Sequence, residues 1–379
     1  MKLPPLSLYV HVPWCVQKCP YCDFNSHGKK GDIPETEYIQ HLLHDIKADL
    51  HYVQGRKLSS IFIGGGTPSL LSGEAYRYLL SEIEALIGFE DDIEVTLEAN
   101  PGTVETDRFK HYVAAGINRI SIGVQSLQQE KLTQLGRIHD EQEALNAAQE
   151  AHQAGLNSFN LDLMHGLPNQ SVSDALSDLE KAIAMTPPHL SWYQLTIEPN
   201  TQFASKPPVL PEDETLWDIQ EQGQALLAEH GYQQYEISGY AKAGFQCRHN
   251  LNYWQFGDYL GIGCGAHGKI TLPEQQQILR TVKVKHPRGY MDLSKPYLYE
   301  QWHVASDDRP FEFFMNVFRL KTAASKQQFI DYTGLELSAI ATQIAKAVDK
   351  GLIEETNDSW LVTNKGHRYL NDLLELFVY

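Results

Sequence analysis

Six times in its first 200 residues the chain repeats one unit. A short β-branched or apolar run ends in Gly, Asn, Asp or Cys, and a stretch of helix length follows. This spacing predicts strands at 7–12, 59–63, 93–99, 119–124, 158–164 and 190–197. Helical periodicity lies between them at 36–53, 74–87, 141–154 and 172–185. In the first of these, Tyr38, Ile39, Leu42, Leu43, Ile46 and Leu50 fall on one face. Strands alternating with helices imply an α/β fold with a parallel sheet and crossover helices. The regular spacing favours a partial (β/α)6 barrel over a doubly wound sheet.

Reactive residues crowd the carboxyl ends of these strands. A cysteine loop follows the first and Gly64-Gly65-Gly66-Thr67 the second; Glu98-Ala99-Asn100 closes the third. Gln125 follows the fourth, Asp162 to His165 end the fifth, and Gln194 lies in the sixth. In α/β barrels and open sheets that edge is where chemistry is built.

The rest of the chain divides differently. The core is expected over 1–235, and residues 240–310, rich in Gly and aromatics, read as irregular, giving a connecting region at 236–309. From 310 to 379 helices at 312–320, 326–333 and 337–350 precede a small hairpin at 352–363, the pattern of a winged-helix-like domain. That domain is slightly acidic, and the whole chain carries 31 Lys and Arg against 48 Asp and Glu, a net charge of −17. Such a balance repels phosphate backbones, so nucleic acid is not the expected partner. No stretch reaches the roughly 18–20 apolar residues that span a bilayer, and the N-terminus lacks the pattern of a signal peptide. The five cysteines therefore read as reduced thiols in a cytoplasmic protein.

Cys15, Cys19 and Cys22 stand in HVPWCVQKCPYCDF. Three thiolates on one short loop can converge on a metal centre. A structural zinc site normally closes with four ligands, so a fourth would have to come from Cys247, Cys264 or a histidine. A [4Fe–4S] cubane held by three cysteines leaves one iron open to a small molecule. This loop, after a first strand and ahead of five more strand–helix units, resembles the radical S-adenosylmethionine superfamily. The resemblance implies that the open iron chelates S-adenosylmethionine, whose reductive cleavage gives a 5′-deoxyadenosyl radical.

Glycines after a strand permit close backbone approach and positive φ, leaving amide groups for a ligand. Gly64-Gly65-Gly66-Thr67-Pro68 resembles the superfamily's Gly-Gly motif, so Gly65, Gly66 and Thr67 become candidates for the methionine moiety. Glu98, Gln125, Arg137 and Asp162, in LEANPG, GVQS, LGRIH and NLDLMHGLP, are ordinary residues individually. Each matches a residue that contacts S-adenosylmethionine in the oxygen-independent coproporphyrinogen III dehydrogenase branch, as do Tyr9 and Tyr21. Arg137 would supply a planar cation for a carboxylate.

Two features depart from that branch. Its fourth cysteine, two residues after the third, is here Phe24, which cannot ligate iron but can stack on a ring or fill space beside S-adenosylmethionine. Its N-terminal extension is also missing, since Cys15 lies almost at the start. His249-Asn250-Leu251-Asn252-Tyr253-Trp254 instead resembles the HNxxYW motif of the family's haem-chaperone branch. Imidazole is a good axial ligand for haem iron, and Tyr253 and Trp254 offer flat faces to a porphyrin; a histidine and two aromatics in an ordinary core is the plainer alternative. The resemblance implies a protein that binds haem and hands it to respiratory acceptors, as a homodimer and with at most peripheral membrane contact. A radical oxidase acting on coproporphyrinogen III or a related tetrapyrrole is the enzymatic alternative, and a zinc-stabilised α/β protein the third. Arg280, Lys283, Lys285, His286 and Arg288 form a basic run that is a solvated strand face or a seat for haem propionates or a membrane surface.

Overall fold

The structure, a computed structural model, describes residues 1–103, 107–156 and 158–378. The six expected strands are all present: β1 (Leu6–Val12), β2 (Leu58–Gly65), β3 (Phe89–Ala99), β4 (Arg119–Gln125), β5 (Ser158–His165) and β6 (His189–Gln194). They pair in chain order, all parallel. Helices α1 (Glu35–Ala48), α2 (Gly73–Ile87), α3 (Arg108–Ala114), α4 (Glu141–Gln153) and α5 (Val172–Ala184) cross between them, and α6 (Asp213–Glu229) follows β6. The sixth strand ends at Gln194 rather than 197, because Leu195 turns away to pack with Met164, Leu167 and Phe203 in a separate small core.

Side chains on these strands alternate in an unusual sense. Leu6, Leu8, Val10 and Val12 of β1, Ile61 and Ile63 of β2, and Ile120, Ile122 and Val124 of β4 are buried. They join Leu42 and Ile46 of α1, Leu79 and Ile83 of α2, and Leu179 of α5 in the main core. The opposite parity carries Ser7, Tyr9 and His11, then Ser60 and Phe62, Glu94 and Glu98, Arg119 and Ser121, Asn160 and Asp162, His189 and Ser191. Parallel strands covered on both faces are usually apolar on both. Here the second face is a buried polar interior, and it frames the site described below.

Residues 240–310 are not irregular. Strands β7 (Gln233–Gln234) and β8 (Gly239–Ala241) cap the sheet beyond β6. After α7 (Arg248–Trp254), β9 (Asp258–Gly263) runs parallel to β1. Antiparallel β10 (His267–Leu272), β11 (Gln277–Lys283) and β12 (Leu298–His303) then extend the same sheet outward. The result is a twelve-stranded sheet that ends in β12 on one side and β7 on the other, so it stays open. The C-terminal part, α8 (Arg309–Val317), α9 (Lys326–Thr333), α10 (Ala341–Asp349) and a three-stranded sheet of Ala324–Ser325, Ile353–Glu355 and Ser359–Val362, has its own aromatic core around Phe313, Phe314, Phe329 and Trp360. No helix among the described residues is long and apolar enough to cross a membrane.

Two of the five residues in the basic run point inward. Arg280 pairs with Glu312 and donates to the Tyr259 hydroxyl. Lys283, only 1% exposed, reaches Asp45 at 2.6 Å and Asp49 at 2.7 Å on α1 and the residue after it. Only Lys285, His286 and Arg288 face solvent. Asp45 also accepts from the Tyr290 hydroxyl and the Gly263 amide, and burial pushes its carboxyl up to about 6 against the pull of Lys283. Removing one member of a buried ion pair costs about 3–5 kcal/mol. Lys283→Met is therefore expected to lose stability of that order at neutral pH in urea unfolding. Part of it should return on acidification, because a carboxyl with a raised pKa takes up its proton and ceases to be a buried charge.

Candidate functional site

The cysteine loop is closed on itself at the carboxyl end of β1. Trp14–Cys15 pairs with His27–Gly28, and the His27 and Lys29 amides donate to the carbonyls of Pro13 and Cys15. All five cysteines are free thiols; Cys15 is buried, Cys19 and Cys22 half-buried. Burial pushes the Cys15 and Cys22 thiols up, while Thr67 and Ser26 hydroxyls beside Cys15 and Ser26 beside Cys22 oppose it. Among the described residues no three His, Cys, Asp or Glu side chains converge on one point as a single zinc ion requires. The two remote thiols are engaged elsewhere, Cys247 with Glu94 at 3.4 Å and Cys264 with Tyr38. Three soft sulfur donors on one loop suit an iron–sulfur centre. Arg137 supports that fit: its guanidinium donates to the Cys19 sulfur at 3.6 Å and to the Gly123 carbonyl at 2.6 Å, and its buried Nε has no partner among the described residues.

The glycine turn after β2 is packed against this loop, not left open to a ligand. The Gly65 amide donates to Glu98 at 3.0 Å, Gly66 to the Val12 carbonyl and Thr67 to the Trp14 carbonyl, both at 2.7 Å. Gly65 has φ +115°, and a Cβ on Gly66 would lie 2.5 Å from the Trp14 oxygen. Glycine is thus required by close approach, and the expectation of free amides is corrected: their acceptors come from the chain itself.

A cavity of about 650 Å³ opens beside the loop. Of the residues singled out in the sequence, Tyr9, Cys22, Phe24, Gly65, Glu98, Tyr253 and, from the basic run, Lys285 line it. Others stand behind that lining. Tyr21 leans on Phe203. Gln125, in the left-handed region at φ 70°, accepts from the Tyr193 hydroxyl at 2.8 Å. Asp162 accepts from Ser121 and Asn160 at 3.0 and 2.8 Å, and burial raises its pKa.

The HNxxYW segment is split by helical geometry. His249 is wholly buried: its Nδ1 bonds to the Ser60 hydroxyl at 2.9 Å, and its ring stacks on Phe62 at 5.2 Å. Burial lowers its basicity to about 3, and it does not line the cavity. Asn250 is half-buried off the lining as well. Trp254 points elsewhere, its ring 4.2 Å from the guanidinium of Arg319 beyond α8. Tyr253 alone reaches the cavity, set edge-on to Tyr259 at 4.5 Å.

Sequence reasoning missed His11, Asn25, Tyr259 and His267, which also form part of the walls. Asn25 ties the cysteine loop to the sheet extension by donating to the carbonyls of Cys264 and Lys285 at 2.9 and 2.8 Å. The alternation of polar residues along β1 was a usable signal for His11; nothing local marks the others.

Comparison with known proteins bears on the whole chain. The pattern of the Radical SAM superfamily matches residues 9–182, and that of the HemN C-terminal domain residues 304–369. The heme chaperone HemW of Haemophilus influenzae is 64% identical over 381 residues, covering 100% of this chain and 99% of that one. The Escherichia coli protein of the same name is 61% identical over 378 residues with the same coverage, and that of Bacillus subtilis 32% over 381 residues, covering 98% and 99%. Among solved structures, coproporphyrinogen III oxidase (HemN) of Escherichia coli superposes with a TM-score of 0.83 over 99% of this chain and 90% of that one. At 23% identity that likeness is one of fold.

Electrostatics single out Glu98 within the cavity wall. Burial, then the charge of Asp162, push its carboxyl from 4.5 to about 7, and the Gly65 amide only partly offsets them. A carboxyl whose folded pKa is raised makes the fold lose stability as pH climbs from its unfolded to its folded value. Without S-adenosylmethionine, stability should therefore decline between pH 4.5 and about 7. Glu98→Gln should flatten that part of the profile in denaturant unfolding. A second outcome follows from the glycine turn: Gly66→Ala should displace the cysteine loop and lower the iron retained after anaerobic reconstitution.

Proposed function

This chain belongs to the heme chaperone HemW family within the radical SAM superfamily, and from that premise we propose that it binds haem and transfers it to acceptor proteins. The single observation that carries the reading is the identity to heme chaperones, 64% and 61% over 99% of those chains. Cys15, Cys19 and Cys22 hold a [4Fe–4S] cluster, and S-adenosylmethionine lies beside it. When bound, the cluster offers an open iron to the amino and carboxylate groups of that nucleoside and one electron to its sulfonium.

The chain's own residues fit these roles. Arg137 offsets thiolate charge at Cys19. Tyr9 and Glu98, adjacent in the cavity wall, offer a phenol and a carboxyl to ribose hydroxyls and the amine, while Gly65 allows close approach. Gly66, Thr67, Tyr21, Gln125 and Asp162 support that seat from behind. Phe24 is 61% exposed at the cavity mouth, as suits a flat ligand. Haem lies in the same cavity against Tyr253. Regions 1–235, 236–309 and 310–379 act as radical-type core, haem-facing segment and C-terminal scaffold or lid. The acceptors are respiratory proteins, reached from the cytoplasm through peripheral membrane contact, and the working form is a homodimer.

Anaerobically reconstituted protein should carry about four irons per chain and retain a Soret band through gel filtration after haem is added. Cys19→Ala should lose the iron–sulfur absorption. Stoichiometric zinc in place of iron, or no retained haem, would overturn the reading. So would multiple-turnover conversion of coproporphyrinogen III to protoporphyrinogen in the presence of reductant and S-adenosylmethionine.

A further inference from the structure

Three imidazoles border the cavity: His11, His27 and His267. His11 is committed at both nitrogens, Nδ1 to the Tyr9 hydroxyl at 3.0 Å and Nε2 to the Asn25 carbonyl at 2.9 Å. His27 is half-buried, edge-on to His286 at 5.3 Å, with its Nε2 enclosed by protein. His267 is different: its side chain is exposed toward the cavity and has no hydrogen-bond partner among the described residues. Partial burial, then the nearby charges of Lys285 and Arg280, lower its basicity, so the neutral ring keeps a lone pair for a metal.

Its backbone, by contrast, is firmly held. His267 opens β10 opposite Val282. On the turn before it, the Gly265 amide donates to the Val284 carbonyl at 2.9 Å, and the Ala266 carbonyl accepts from Lys283 at 2.8 Å. Asn25 clamps the same turn from the cysteine loop, and Gly265, at φ +69°, leaves the room that Asn25 occupies. A free imidazole on a fixed stem, beside the crossed rings of Tyr253 and Tyr259 and the exposed ammonium of Lys285, matches a porphyrin with a ligand-seeking iron and two carboxylates.

Resting on the haem reading above, we propose that His267, and not His249, supplies the protein's nitrogen ligand to haem iron. His249 then serves as a structural residue, fixing α7 to β2 through Ser60 and presenting Tyr253 to the cavity from the adjoining turn.

The test is a haem titration of the full-length reconstituted protein, read by Soret position and by affinity, with wild type, His267→Ala, His267→Met and His27→Ala side by side. His267→Ala should bind haem at least roughly tenfold more weakly, since an iron–ligand bond is lost. Its spectrum should change in coordination, and millimolar imidazole should restore it. His267→Met should retain haem with a shifted Soret band, while His27→Ala should match wild type. Unchanged affinity and spectrum in His267→Ala, with wild type still binding haem, would overturn the ligand assignment alone. Wild-type protein that retains no haem would overturn the haem reading and this ligand with it.

Discussion

Everything in this molecule depends on the two parities of its parallel strands being kept apart. One carries leucine, isoleucine and valine under the helices and supplies the bulk of the burial free energy, about 25 cal/mol per Å² of apolar surface. The other carries Glu94, Glu98, Arg119, Asn160, Asp162 and His189 into an interior that solvent barely enters. A one-residue slip of any strand would exchange the two sets. It would drive a carboxylate or guanidinium among the helices, where an unpaired charge costs several kcal/mol. Register is therefore fixed electrostatically as well as by hydrophobic matching.

Much of the polar interior is paired internally, although Arg119 Nε and His249 Nε2 are buried with no partner among the described residues. Ser7 bonds Ser60, which bonds His249; the amide of His249 and the thiol of Cys247 reach Glu94. On the other side Ser121 and Asn160 hold Asp162, and His189 joins Asn160 to the Tyr235 hydroxyl. The chain's later segments close both networks, Cys247 and His249 one and Tyr235 the other. The region after 235 is thus no mere connection: without it several charged groups of the six-unit core would lose partners, at about 1–3 kcal/mol for each buried group left unsatisfied.

Legibility in the sequence followed the range of the interactions. The six units and the C-terminal helices and hairpin were readable because helical and strand periods are local. The cysteine loop was readable because its spacing is chemical. Strands β9 to β12 were not, since Lys269, Arg280 and Lys283 interrupt their apolar pattern. Those residues are buried only because Asp258, Glu312, Asp45 and Asp49, 11 to 238 positions away, neutralise them. The HNxxYW motif is divided for a geometric reason. On a helix, His249 and Tyr253 share a face while Trp254 is turned by about 100°, so the motif could not present all its rings to one ligand.

The cavity wall draws on the carboxyl ends of the core strands (Tyr9, Gly65, Glu98), on the cysteine loop (Cys22, Phe24, Asn25) and on the later segments (His267, Lys285). Asn25 belongs to that loop yet donates to both Cys264 and Lys285, while its own carbonyl holds His11. The cysteine loop is thus tied by hydrogen bonds to the turn before His267, through Cys264, and to Lys285. Coupling of this kind needs no domain motion: the loop that would carry the cluster is itself part of the wall that a tetrapyrrole would meet.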